Sequence, residues 1–320
     1  MILHENKKDF IEAIQAASDF LNISPVFIEK DYWITRVLRE LSESKYANKV
    51  VFKGGTSLTK AHRLIQRFSE DVDIAVLDVS ELSGNQIKTL IRNVEKDISK
   101  DLTELVIPEI TSKFSKFRKS VFTYPLTGNF KFSTSVSEKL IIEINSFANP
   151  YPYEILEIKS FITEFLKQNK SEDFIKKYKL EPFSLNVLDK RQTLLEKIVS
   201  LIRFSFEEDV NRSIAGKIRH FYDIHFLLSN ADCLNYIKSP NFRKDLKQLI
   251  IHDKQVFEEP IGWREKDIKE SVLIMEFEKI WEGLKSTYVN ELTALSFNKI
   301  PDENLVKESF EMVIDILKRD

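Results

Sequence analysis

The chain has one cysteine, Cys233, among 320 residues, so it makes no intramolecular disulfide, and no Cys/His cluster with zinc spacing occurs. Glycine is also scarce, at seven residues, which excludes collagen-like and flexible-linker compositions. No uninterrupted apolar run approaches the roughly 18 residues of a membrane span. The start of the sequence, Met-Ile-Leu-His-Glu-Asn-Lys-Lys, lacks the apolar core of a signal peptide. These absences argue against export and membrane insertion and fit a reducing cytoplasm. An excess of positive charge is missing too: 48 basic side chains face 50 acidic ones, for a net charge of -2. Any polyanion must therefore be held by a local patch and not by a global field. The P-loop spacing and Gly-x-Gly-x-x-Gly are both absent, which removes support for ATPase and dinucleotide readings. The histidines His4, His62, His225 and His252 are scattered and suggest no triad or metal site.

What is present is a globular composition, 42% hydrophobic and 31% charged, with 24 phenylalanines. Apolar residues recur at helical spacing over 7–22, and Ser24-Pro25 opens a second helix carrying Phe27, Ile34, Val37, Leu38 and Leu41. A short strand, Val50-Val51-Phe52, then meets Gly54-Gly55, after which Leu58, Ala61, Leu64 and Ile65 repeat at helical period. From Asp71 to Leu77 the pattern alternates, with Val72, Ile74 and Val76 on one face and Asp71 and Asp73 on the other. A helix over 87–100 precedes short alternating stretches near 113–119, 121–125, 129–134 and 139–145. Beyond about residue 186 the period is helical: 191–206, 215–229, 240–252, 266–286 and 303–318. The expected class is α+β: a mixed sheet with flanking helices over 1–185, then a helical domain over 186–320 that covers an active site in the cleft between them.

Two carboxylates at i and i+2 on a strand project from one face and can share a hard cation through oxygen. Asp71 and Asp73 have that spacing, and Glu143, the one acidic residue of Leu140-Ile141-Ile142-Glu143-Ile144-Asn145, is the candidate third ligand. Taken singly, either feature is as well explained by a solvated strand face or a buried residue with a local partner. Upstream, Gly54 and Gly55 permit close backbone approach, Thr56 and Ser57 offer hydroxyls, and the helix that follows presents free N–H groups to a phosphate. A turn that only lets strand and helix pack is the competing explanation. Lys113, Lys116, Arg118 and Lys119, interleaved with Phe114 and Phe117, suit an RNA strand gripped by phosphate contact and stacking. Lysine on a protected sheet edge explains them equally well.

Phe52-Lys53-Gly54-Gly55-Thr56-Ser57-Leu58 followed by Arg67-Phe68-Ser69-Glu70-Asp71-Val72-Asp73-Ile74 resembles the AbiEii/AbiGii toxin family of nucleotidyltransferases, within the DNA polymerase beta-like superfamily. Glu29-Lys30-Asp31-Tyr32-Trp33, Leu194-Leu195-Glu196-Lys197 and Tyr222-Asp223-Ile224 extend the likeness over about residues 25 to 230. The resemblance implies transfer of a nucleoside monophosphate from an NTP, with Mg2+ or Mn2+, to a hydroxyl acceptor such as a tRNA end. It also implies a toxin role in a type IV toxin-antitoxin or phage-defence pair, with an antitoxin partner. In that frame Ser57, Asp71 and Asp73 take phosphate and metal roles, while Lys197 and Asp223 face them from the helical domain. Without the resemblance, Lys197 reads as a solvated helix position, Asp223 as an i+4 ion pair with Arg219, and His220 as a helix-surface histidine. Fifteen residues separate Gly55 from Asp71, longer than in compact superfamily members. Transfer to a protein or small molecule, phosphotransfer, and non-catalytic nucleotide binding stay open as alternatives.

Overall fold

The residues from 1 to 188, apart from a short excursion at 64–67, fold around a mixed sheet whose central strands are the most apolar. The computed structural model describes residues 1–69, 71–126 and 138–319. Among these, eight strands form one sheet: β1 (Val50–Lys53), β2 (Asp71–Val76), β3 (Thr103–Leu105), β4 (Ser112–Lys113), β5 (Phe117–Thr123), β6 (Lys139–Asn145), β7 (Tyr153–Ile158) and β8 (Phe183–Leu188). Their order is β3-β5-β6-β2-β1-β8-β7, with β4 added on β5. The pairs β2/β6 and β1/β8 are parallel and the others antiparallel. Val72, Ile74, Leu140, Ile142 and Ile144 are fully buried, which places the core on the face opposite Asp71 and Asp73.

The strands expected at 113–119 and 121–125 are instead a short hairpin, β4 and β5, that bends at Ser115–Lys116. Ser120 does not interrupt β5, because its hydroxyl bonds Glu95. The stretch expected at 129–134 lies outside the described residues. β7 and β8 were not anticipated, and β8 runs through the 185/186 division drawn from periodicity. Its apolar end, Val187-Leu188, passes directly into the next helix, so no composition break marks it.

Helices α1 (Lys7–Leu21), α2 (Pro25–Glu43), α3 (Gly54–Lys60), α4 (Gly84–Ile98), α5 (Phe161–Gln168) and α6 (Glu172–Tyr178) complete this unit. Residues 26–35 of α2 are all buried, including Glu29, Lys30 and Asp31. A charge at such a site needs a partner. Asp31 accepts from Lys60 Nζ at 2.6 Å and from the Phe161 N–H at 2.8 Å, while Lys60 also donates to the Lys159 carbonyl at 2.8 Å. This network fastens the end of α3 to α2 and to the start of α5. The helix expected to continue through Leu64 and Ile65 stops at Lys60, and Arg63 adopts φ +55°.

Residues 64–67 belong with 189–320 in a second, helical unit. It contains α7 (Lys190–Phe204), α8 (Val210–Ala215), α9 (Ile218–Ser229), α10 (Ala231–Ile237), α11 (Pro240–Val256), α12 (Val272–Met275), α13 (Phe277–Leu295) and α14 (Glu303–Lys318). Phe221 of α9 centres an aromatic core, with Phe310, Trp281 and Phe277 rings 4.8, 5.3 and 6.0 Å away. The 64–67 segment is stitched to the end of α13: Arg67 bridges Ser296, and the Gln66 carbonyl accepts from the Phe297 N–H at 3.0 Å and the Ser296 hydroxyl at 2.9 Å. The class is therefore α+β, as expected, with the interruption after α3 as a feature the periodicity did not show.

Removing one member of the Asp31–Lys60 pair leaves a buried charge. Lys60→Met is expected to lower the unfolding free energy by about 3 kcal/mol in urea titrations, and adding Asp31→Asn to recover part of that loss.

Candidate functional site

Directly paired residues in a sheet share a face, and the register of four neighbouring strands builds a charged row by this rule. Lys53 of β1 stands opposite Asp73 of β2, Asp73 opposite Glu143 of β6, and Glu143 opposite Lys119 of β5. Asp71 joins the same face two residues from Asp73, opposite Ile141. Asp71, Asp73 and Glu143 are half-buried. Lys119 Nζ lies 3.4 Å from Glu143 Oε2. The three carboxylates proposed from the sequence thus share one sheet face, although 72 positions of numbering separate Asp71 and Glu143.

Burial raises the pKa of Asp73 well above the ordinary carboxylate value, and the neighbouring charges of Glu143 and Asp71 raise it further; Lys53 and Lys119 oppose the shift. A cation would relieve this crowding. Among the described residues, no three His, Cys, Asp or Glu side chains are gathered closely enough to form a metal cage by themselves. Mg2+ does not require one, since it usually takes one or two carboxylates and fills its octahedron with water and substrate phosphates. The hard oxygen donors of Asp71 and Asp73 fit that mode, and Glu143 stands beside them with Lys119 as its present partner.

The glycine turn abuts this row. Gly54 has φ +77°, and a Cβ there would fall 2.0 Å from Asp73 Oδ2. The Asp73 carboxylate therefore occupies the space a side chain would fill at the start of α3. Thr56 donates its hydroxyl to the Asp71 carbonyl, tying the first turn of α3 to β2, and Ser57 donates to the Gly54 carbonyl at 2.8 Å. Both residues are buried, so these two hydroxyls, expected to meet phosphate, are turned into the protein. Gly55 is buried as well. The backbone N–H groups of the first helical turn, which have no intrahelical acceptor, are the phosphate-binding groups this turn offers.

In the helical unit Lys197 and Asp223 pair with each other, and Arg67 is a third partner. Asp223 is fully buried and accepts from Arg67 Nε and Nη2, both at 2.7 Å, in a bidentate pair, while Lys197 Nζ lies 2.7 Å from its Oδ2. Burial alone would raise the Asp223 pKa; Arg67 and then Lys197 more than reverse it and hold the carboxyl below its ordinary range. Lys197 is not a solvated position, and Arg219 pairs with Glu291 at 3.1 Å and not with Asp223. His220 departs from the surface expectation too: its Nδ1 is sealed without a hydrogen-bond partner, and burial, then Lys197, push its pKa well below the usual value, so the ring is neutral. Sequence reasoning missed Arg67. Its signal was its place at the head of the Arg67–Ile74 block that carries the family resemblance.

The basic-aromatic stretch is dispersed by strand alternation. Lys113 and Arg118 are directly paired and lie on the face opposite Lys119, where Lys113 pairs with Glu104 while Arg118 and Ser120 bond Glu95 of α4. Lys119 faces the carboxylates, and Lys116 is exposed at the bend. The four cations expected to form one RNA track do not share a face.

Gly54→Ala is expected to cost about 1–2 kcal/mol of stability from its positive φ alone and to displace Asp73, read by urea titration and by Mn2+ affinity. For Asp73, a pKa raised in the folded state means that ionisation opposes folding: the cost is full above the folded pKa, shrinks as pH falls below it and is gone below the unfolded value. Asp73→Asn should therefore melt higher than the wild type in EDTA at neutral pH, with the gap closing on acidification. Asp223→Asn leaves Arg67 and Lys197 uncompensated and should destabilise the protein by about 3 kcal/mol or more in the same titration.

A family profile described as "Nucleotidyl transferase AbiEii toxin, Type IV TA system" matches residues 36–313. No curated protein matches the chain. Among solved structures, MenT4, a nucleotidyltransferase toxin from Mycobacterium tuberculosis H37Rv, aligns with a TM-score of 0.48 and 14% identity, over 92% of this chain and 94% of that one. With the family profile covering most of its length, the chain belongs to the AbiEii family, the nucleotidyltransferase toxins of type IV toxin-antitoxin systems.

Proposed function

We propose that this enzyme moves a nucleoside monophosphate from an NTP to a hydroxyl at an RNA end, with Asp71 and Asp73 holding Mg2+ or Mn2+. The observation that carries this reading is the row of carboxylates on one sheet face, set against the glycine turn. The bound ion supplies charge neutralisation at the triphosphate and lowers the pKa of an attacking hydroxyl. Asp71 is assigned to the proton of that hydroxyl. Gly54 and Gly55 bring backbone N–H groups to the triphosphate, and Thr56 and Ser57 hold the turn in shape through the Asp71 and Gly54 carbonyls. Lys197, a compact point charge, is assigned to a phosphate. Asp223, which touches Lys197 and Arg67, acts through them as a positioning residue. In the reaction the acceptor oxygen forms a bond to the α-phosphorus, the bond from that phosphorus to the bridging oxygen breaks, and pyrophosphate leaves.

The family implies an antitoxin partner, and we place the pair in the cytoplasm, where NTPs are found, as a phage-defence or growth-control device. No described helix is long and apolar enough to cross a membrane. Dispersal of Lys113, Arg118 and Lys119 onto separate partners favours, as a second reading, a protein or small-molecule hydroxyl.

Incubation with each α-labelled NTP, Mg2+, total RNA and cell protein is expected to place label in RNA, and Asp71→Ala or Asp73→Ala to reduce it by about 100-fold or more. Label in protein would select the second reading. Transfer from γ-labelled NTP would replace nucleotidyl by phosphoryl transfer, and full activity of either alanine variant would overturn the assignment of the metal site.

A further inference from the structure

Lys119 stands at the end of the charged row in a position different from its neighbours. Lys113 is committed to Glu104 and Arg118 to Glu95, both on the opposite face. Lys119 instead points along the row, in direct register with Glu143, with its Nζ 3.4 Å from Glu143 Oε2. The two side chains are 30% and 24% exposed, so the pair opens to solvent on the sheet face. A four-carbon stem at that exposure can swing its ammonium away without repacking the core. A divalent ion on Asp71 and Asp73 would bring two further positive charges to the strand beside Glu143, and the ammonium would then be repelled from the place it occupies.

We propose that Lys119 is the resident counter-cation of the carboxylate row: it neutralises Glu143 when no divalent ion is bound and gives way when one binds at Asp71 and Asp73. This rests on the metal reading of those two residues proposed above. Its consequence is selectivity. A bare divalent ion must compete with Lys119, whereas an ion that arrives on a triphosphate carries compensating negative charge, so the row favours the metal-nucleotide complex over free metal. Glu143 is thereby kept paired and oriented until substrate arrives.

Calorimetric titration with Mn2+ alone separates the possibilities. Asp73→Asn should abolish the binding seen in the wild type. Lys119→Met should tighten the Mn2+ Kd about threefold, the size expected for one partly exposed charge pair. The gap should narrow at high salt, and Lys119→Arg should restore the wild-type Kd; a purely structural role for Lys119 would move neither. If the wild type and Asp73→Asn take up Mn2+ alike or not at all, the metal reading fails and this inference with it. If the wild type binds and Asp73→Asn does not, yet Lys119→Met leaves the Kd unchanged or weakens it, the counter-cation role alone is overturned.

Discussion

Like charges placed side by side on half-buried strands repel one another, and the sheet around Asp71, Asp73 and Glu143 is arranged to contain that repulsion. β2 and β6 run parallel in a register that makes Asp73 and Glu143 direct neighbours, so their side chains must coexist on one face. Lys53 and Lys119, one strand further out on either side, supply the compensating charge. Gly54 supplies the space, since any side chain there would collide with the Asp73 carboxylate. The opposite face of the same strands is filled by Val72, Ile74, Ile142 and Ile144. Strand alternation thus places a hydrophobic core and an acidic, cation-seeking surface back to back, and the buried side holds the exposed side in register.

The position of the glycine turn depends in addition on polar contacts below it. Asp31 and Lys60, each buried, satisfy one another and hold the last residue of a short helix whose first residue must stay under Asp73. Thr56 and Ser57 belong to the same support, because their hydroxyls close onto the Asp71 and Gly54 carbonyls. A turn of seven helical residues has little intrinsic stability. These side-chain bonds supply the rigidity that backbone geometry at a phosphate or metal site requires.

In the helical unit a second cluster carries the opposite charge balance. Two cations, Arg67 and Lys197, share the single carboxylate of Asp223 in a buried setting, with a neutral His220 nearby. The arginine comes from the 64–67 segment, the extra length between Gly55 and Asp71, and that segment bridges Ser296 and Phe297 through backbone bonds. The segment therefore contributes a structural cation to a unit from which it is distant in sequence.

The residues alone announced the amphipathic helices, the alternation from Asp71 onward, the buried strand around Glu143 and the glycine turn, because each of these is a local pattern set by side-chain period and backbone freedom. The same local information, with the family resemblance, singled out Asp71, Asp73, Lys197 and Asp223. What it could not decide was pairing. The place of β8 between β1 and the edge strand β7, the splitting of Lys113, Arg118 and Lys119 among three acidic partners, the inward turn of Thr56 and Ser57, and the bidentate hold of Arg67 on Asp223 all depend on which distant segments meet. An isolated lysine or carboxylate reads the same in sequence whether it is solvated, bound to a ligand or buried against a counter-charge. Only the tertiary structure selects among these, because the cost of burying a charge is met by partners that sequence separation conceals.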